Sequence, residues 1–323
     1  MKYPKISIVT PSYNQAQYLE QTIRSVLEQE YPNLEYVVID GGSEDESVEV
    51  VQKFSDRIHY WISEKDFGQA HAINKGFAKC TGDVMGWINS DDYYAPKTLW
   101  RVSEVFTLDV PMMVWGYICN INHESKISNK NHLRYKDLLL GNLSLPQPSV
   151  FWNRTLWNAI SEKLHEELYY MLDYELFLRM LRLEPRIVTF DDVVAFNRIH
   201  ENTKTYHLQS KPLMKERALV KVQHWEQTKM NFLRYLVRSY FYCLFNSIPF
   251  GFVRARTRGG HRVQRPSSME GLSVLSKKTF RRLLQMFATL INPQGGIWYL
   301  VEAKVRRLLL GTAHQRVMST NSA

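Results

Sequence analysis

From Lys5 to Tyr117, short β-branched apolar runs alternate with stretches of helical periodicity, and this alternation restricts the possible folds more than any other feature. Residues 6–10, 36–40, 58–62, 84–89 and 112–117 read as strands. Between them, Tyr18, Leu19, Ile23, Val26 and Leu27 mark one helical face, and Val48, Val51 and Phe54 another. Strand–helix–strand units cross over right-handedly, so the expected class is α/β: a Rossmann-like, mostly parallel sheet flanked by helices.

The pattern loosens after Tyr117. Residues 120–131 read as a polar loop, ahead of the apolar Leu138 to Leu140 and the turn-rich Leu145-Pro146-Gln147-Pro148. A helix is expected from Asp173 through Leu176, Phe177, Met180 and Leu181, ending before Pro185. Two short strands are expected at residues 187–190 and 193–196, and a further helix from Pro212 to about Thr228.

Charge divides the chain at that point. Residues 1–228 hold 25 Lys plus Arg against 30 acids, whereas residues 229–323 hold 16 against 2. The expected organisation is a motif-bearing domain over 1–228 and a basic, aromatic-rich helical extension over 229–323. Arg234 and Arg238 interrupt the apolar stretch 230–253, which makes a poor membrane span. A helix lying among lipid headgroups and one packed on the first domain remain equal readings. The run Arg254, Arg256, Arg258, Arg262 and Arg265 suits an anionic membrane surface, while a nucleic-acid partner has no recognition fold around it. Cys80, Cys119 and Cys243 fit neither a disulfide framework nor a zinc site, and the first residues read as a strand instead of a signal peptide. A cytoplasmic protein, peripheral at the inner membrane face, is the expectation.

Four motifs fall where strands end. Thr10-Pro11-Ser12-Tyr13-Asn14 follows the first strand, and Asp40-Gly41-Gly42-Ser43 closes the second. Glu64-Lys65-Asp66-Phe67-Gly68-Gln69 leads into a helix carrying His71 and Asn74, and Asn89-Ser90-Asp91-Asp92 follows the apolar run 84–88. In an open α/β sheet ligands collect outside the carboxyl ends of the strands. Hydroxyls, an amide and a ring at the first motif can meet a base or ribose, and the glycines allow close approach. Adjacent carboxylates at the fourth repel one another unless a cation or hydrogen-bond donors compensate them, and a hard divalent ion carrying a diphosphate does so. Each motif also has a plain reading: a turn with a cap before a helix, or a cap for the helix that Pro96 begins. Neither Gly-x-Gly-x-x-Gly after strand one nor a Walker-type loop is present.

Taken in order, these motifs resemble the family 2 glycosyltransferases of the GT-A fold, over roughly the first two-thirds of the chain. The resemblance implies an inverting transfer from a nucleotide-diphosphate sugar, with UDP the expected carrier and Mg²⁺ or Mn²⁺ the expected cofactor. It implies an acceptor hydroxyl on a glycan or lipid-linked molecule in cell-surface polysaccharide synthesis. By position it places Asp40 on the base, Asp91 near the ribose and Asp92 on the metal. The family's aspartate-any-aspartate signature stands here as Asn89-Ser90-Asp91 with Asp92 adjacent, so the division of labour between the two acids stays open. Thr10, Pro11, Tyr13, Asn14, Gly41, Gly68, Gln69, Asn74 and Asn89 complete the implied donor site. The late segment Asn197-Arg198-Ile199-His200 implies Arg198 on a phosphate and His200, with Asp91 and Asp92, on the metal. Gln147-Pro148-Ser149 and Trp115-Gly116 resemble segments lining the acceptor side.

An acceptor hydroxyl needs a base. Asp173, at the expected start of a helix, resembles the family's catalytic carboxylate, with helix capping as its alternative role. A catalytically silent nucleotide-sugar binding or scaffold protein is the rival from another class.

Overall fold

The computed structural model describes residues 3–121, 125–127, 134–139, 145–201, 203–204 and 211–226. All belong to the unit Met1–Phe232. The basic extension expected over 229–323 lies outside the described residues.

Four strands, β1 (Ile6–Ser12), β2 (Leu34–Asp40), β3 (Tyr60–Ser63) and β4 (Val84–Trp87), are connected through α1 (Ala16–Leu27), α2 (Ser47–Gln52) and α3 (Gln69–Phe77). They lie parallel in the order β3-β2-β1-β4. Ser12 stands opposite Asp40, and Asp40 opposite Ser63, so the motifs that end these strands share one edge. The expected helical face of α1 is the buried one, with Leu19, Ile23, Val26 and Leu27 inward and an Arg24–Glu20 pair on the solvent side.

The sheet continues through β8 (Phe151–Asn153), β6 (Met112–Asn120), β9 (Arg186–Asn197) and β5 (Tyr93–Tyr94). Here the pairing is mixed: β6 runs parallel to β9, whereas β4–β8, β6–β8 and β5–β9 are antiparallel. The two strands expected at 187–190 and 193–196 are one strand, β9. Its register against β6 shifts between Trp115 and Tyr117, opposite Thr189 and Val193, so the acids Asp191 and Asp192 that interrupt the apolar pattern lie in an irregularity of a continuous strand. Part of the expected loop 120–131 is a strand, β7 (Ser125–Ile127), which pairs with β6. Leu138 and Leu139 lie in a short helix, α5 (Tyr135–Leu139).

Three further helices matter for the site: α4 (Thr98–Val105), α7 (Leu172–Arg182) and α8 (Lys211–Glu226), with α6 (Arg154–Ala159) following β8. An aromatic cluster joins the two parts of the sheet: Trp87 of β4 meets Trp152 of β8 edge-on at 5.6 Å and stacks on Phe177 of α7 at 6.1 Å. Phe177 lies one turn after Asp173, so the packing that buries it brings the first turn of α7 toward the exit of β4. Burying a side chain such as Phe177 stabilises by about 1.5–3 kcal/mol. At the opposite end of the sheet, buried Glu35 accepts from Ser7 Oγ at 2.5 Å, Thr81 N at 2.6 Å and Thr81 Oγ1 at 2.8 Å, and pairs with Lys5 at 2.6 Å. Among the described residues, no helix is long and apolar enough to cross a membrane.

Candidate functional site

Asp40, at the end of β2, is 1% exposed. Its Oδ2 accepts from Gly42 N at 3.1 Å, Ser43 N at 2.9 Å and Ser63 Oγ at 2.7 Å, and its Oδ1 from Ser43 Oγ at 2.5 Å. A carboxylate has about four lone-pair sites, two on each oxygen, so Oδ1 keeps room for one more donor. The neighbouring loop is tied across to it: Asn14 N donates to Ser43 Oγ at 2.8 Å, and Glu44 N to Asn14 Oδ1 at 2.9 Å. Tyr13 is 59% exposed beside this pair, and Pro11 is buried in β1. Thr10 faces the core, where its hydroxyl bonds Tyr36 Oη at 3.0 Å, so its side chain does not line the edge. Two buried polar atoms near this edge have no partner among the described residues, Ser12 Oγ and Gln15 Oε1.

Gly41 and Gly68 have distinct tasks. A Cβ on Gly41 would stand 2.7 Å from Asp66 Oδ2, so glycine is what lets Asp66 pack against the end of β2. Gly68 has φ 111°, ahead of the first turn of α3, and its N–H donates to Asp66 Oδ1 at 2.7 Å. Asn74 is committed elsewhere: its amide holds Leu164 N at 2.8 Å, Leu164 O at 3.0 Å and Glu166 Oε1 at 2.8 Å. It clamps residues 164–166 and is not turned to the donor edge.

At the exit of β4 the two acids separate. Asp92 is 2% exposed and faces inward, its Oδ1 accepting from Arg198 N at 3.1 Å and its Oδ2 approached by Asn89 Nδ2 at 3.4 Å. Burial and the neighbouring Asp91 push its carboxyl well above the usual carboxylate range. Asp91 faces His200 instead, with Oδ2 and Nε2 3.2 Å apart. Ligands at about 2.1 Å from an octahedral ion stand about 3 Å apart when adjacent, so this pair fits two neighbouring positions of Mg²⁺ or Mn²⁺. Among the described residues no three His, Cys, Asp or Glu side chains converge on one point. Arg198 is held in place: Nη1 donates to Asp91 O at 2.7 Å, Nη2 reaches Gln21 Oε1, and the guanidinium lies over Tyr18 at 4.8 Å and Tyr93 at 5.2 Å. These contacts hold it against the Asp91 turn and use two of its five N–H donors.

A chain of directed hydrogen bonds crosses the site. Gln147 Nε2 donates to Trp87 O at 2.9 Å, Asn89 Nδ2 to Gln147 Oε1 at 3.1 Å, and Gln69 Nε2 to Asn89 Oδ1 at 2.7 Å. Lys204 Nζ then donates to Gln69 Oε1 and to Tyr169 O, both at 2.7 Å. Because an ammonium can only donate and a carbonyl only accept, the orientation of every amide between them is fixed. Four sequence-distant segments are thereby held together around the β4 exit.

Asp173 stands in the first turn of α7. Glu216 of α8 takes the N–H groups of Tyr170 and Met171 at 2.9 and 2.8 Å, which relieves Asp173 of capping them. Asp173 Oδ1 accepts from Tyr174 N at 2.7 Å, and Oδ2 has no protein donor among the described residues. Burial raises its pKa, against the pull of Tyr174 N–H and the Lys204 charge. Lys204 is itself pushed down to about 8 by burial, with Asp173, Glu216 and Asp91 opposing. Asp91, His200, Lys204 and Asp173 thus form one connected neighbourhood. The sequence reading assigned no role to Lys204, Asp66 or Glu216. Lys204 sits four residues past His200 in a segment already singled out, and that proximity was the one available signal.

The sequence profile of glycosyl transferase family 2 matches residues 7–166. A protein of Nostoc sp. described as an uncharacterized glycosyltransferase is 39% identical over 110 residues, 33% of this chain and 34% of that protein. TuaG of Bacillus subtilis, named for teichuronic acid biosynthesis, is 37% identical over 99 residues, 30% of this chain and 39% of that one. The crystal structure of S. aureus TarS in complex with UDP-GlcNAc superposes with a TM-score of 0.55 at 17% identity, covering 67% of this chain and 66% of that chain. The chain therefore spans about a third of the length of these two relatives, and the TarS likeness is one of fold.

Proposed function

The chain belongs to glycosyl transferase family 2, and on that premise we propose that it transfers a sugar from a nucleotide-diphosphate sugar to a hydroxyl of a glycan or lipid-linked acceptor, with inversion. UDP is the nucleotide we favour, in keeping with the UDP-GlcNAc that the TarS structure holds. Cell-surface polysaccharide synthesis is the favoured setting, in keeping with the teichuronic acid biosynthesis for which TuaG is named.

The observation that supports this reading is the hydrogen-bond chain from Trp87 O through Gln147, Asn89 and Gln69 to Lys204, whose ammonium the charges of Asp91 and Asp173 both act on. Asp40 Oδ1, Ser12 Oγ, Tyr13 and Asn14 offer the base and ribose partners at the edge of β1 and β2. Asp91 and His200 are the residues that would hold Mg²⁺ or Mn²⁺, and Asp92 supports them from behind through Arg198 N. The ion, when bound, neutralises negative charge on the departing diphosphate. Asp173 receives the acceptor proton through its uncommitted Oδ2, and its raised pKa makes it a stronger base than an ordinary carboxylate. General-base assistance of this kind contributes about 10²–10⁴-fold.

Thermal unfolding in the presence of a set of nucleotide sugars, each with Mn²⁺ or with a chelator, tests the reading. At 100 times Kd a ligand stabilises by about 2.7 kcal/mol, which is easily detected. Metal-dependent stabilisation by at least one nucleotide sugar is expected, and the absence of any such response across UDP-, GDP-, ADP-, CDP- and dTDP-sugars refutes it.

A further inference from the structure

Charge accounting around Asp91 and Asp173 leaves a gap. A bound nucleoside diphosphate brings about three negative charges to a place where Asp91, Asp173 and Glu216 already act together. One divalent ion cannot balance these, and burial makes each uncompensated charge costly. Arg198, the cation that the sequence offered for the phosphate, is bonded to Asp91 O and Gln21 and lies between Tyr18 and Tyr93. With its charge counted the balance is still negative, and a second cation facing the ligand would reduce it.

Lys204 has the required placement. Two of its protons go to neutral oxygens, Gln69 Oε1 and Tyr169 O, and the ammonium lies 4.0 Å from the centre of the Tyr169 ring. No ion pair joins it to a carboxylate among the described residues, although Asp173, Glu216 and Asp91 all act on it from a distance. A lysine held by two neutral acceptors, with acids nearby but none in contact, is a positioned charge awaiting an anionic partner. Resting on the glycosyl-transfer reading, we propose that Lys204 is the protein's cationic contact for the distal phosphate of the nucleoside diphosphate, the group that leaves when the sugar is transferred. In the same position its charge keeps Asp173 ionised, coupling donor occupancy to the readiness of the base. Burial weakens the hold of Lys204 on its proton, to a pKa of about 8, and a diphosphate in contact would restore it.

Calorimetry on the full chain with Mn²⁺ and the pairs UDP/UMP and GDP/GMP tests this directly. A charge-assisted contact to phosphate corresponds to roughly a 10- to 100-fold change in affinity. Lys204→Met is expected to lose that much affinity for the diphosphate while binding the monophosphate like the parent, because the monophosphate does not extend to Lys204. Lys204→Arg is expected to recover part of the difference. Should Lys204→Met not fold, Lys204→Gln carries the same comparison with a polar side chain in place of the cation. Diphosphate affinity unchanged in the neutral variant overturns the proposal alone, as does an equal loss for both nucleotides, which would mark a purely structural lysine. If the parent protein binds neither diphosphate, the glycosyl-transfer reading falls and this proposal falls with it.

Discussion

Glu35→Gln is the sharpest test of how the sheet that carries the site is held together. The carboxylate is 1% exposed and ties Ser7 of β1, Thr81 before β4 and Lys5 to the start of β2. Burial opposes ionisation, but the bonds from Lys5, Ser7 and Thr81 outweigh it and bring the pKa from 4.5 down to about 2. At about 1.4 kcal/mol per pH unit, that fall corresponds to about 3 kcal/mol. Because the folded value lies below the unfolded one, the contribution is complete above pH 4.5 and disappears as pH falls through about 2. Glutamine has the shape of the protonated acid, so the variant should lose about 3 kcal/mol at pH 7 and progressively less in acid. Urea unfolding of parent and variant at pH 7 and at pH 3 measures both quantities. Equal stability at pH 7, or a deficit that does not shrink at pH 3, would refute the assignment of this carboxylate as an anchor.

The two acids after β4 should behave differently. Asp91→Asn is expected to reduce Mn²⁺-dependent nucleotide binding by more than the about 10–100-fold typical of outer-shell changes, while Asp92→Asn, which keeps an acceptor for Arg198 N and removes a buried charge beside Asp91, leaves stability at pH 7 unchanged or raised. Calorimetry with unfolding curves separates them, and the reverse order would return the metal to Asp92. The pH profile of kcat/KM should be bell-shaped. Asp173 must be ionised, so the rate falls as pH drops through a value above the ordinary 3.8, and Lys204 must be protonated, so it falls again as pH rises through about 8. A profile flat to about pH 10, where an ordinary lysine titrates, would contradict the role of Lys204.

The first four strands were legible because short apolar runs alternate there with amphipathic helical stretches, most clearly in β1 and β2, each of seven residues. Their carboxyl-end motifs were legible for the same reason: the strand ends determine where they fall. Strands β5 and β8 were not, since two or three residues carry no period. The acids Asp191 and Asp192 split β9 in the sequence reading because periodicity cannot distinguish a loop from an irregularity within a strand. At the site, sequence identified residue types but not their orientation. Thr10, Asn74 and Arg198 are polar groups of suitable chemistry whose bonds turn them to Tyr36, Leu164 and Asp91 O. Lys204 escaped notice because its importance lies in contacts with Gln69 and Tyr169, 135 and 35 residues away.

Sugar transfer with Asp173 as the base is measured by nucleoside diphosphate release from a stabilising donor in the presence of a hydroxyl acceptor. Asp173→Asn is expected to release it about 10²–10⁴-fold more slowly than the parent while donor and Mn²⁺ still raise its Tm. Release at the parental rate by the fully folded Asp173→Asn protein would contradict the role of Asp173 as the base.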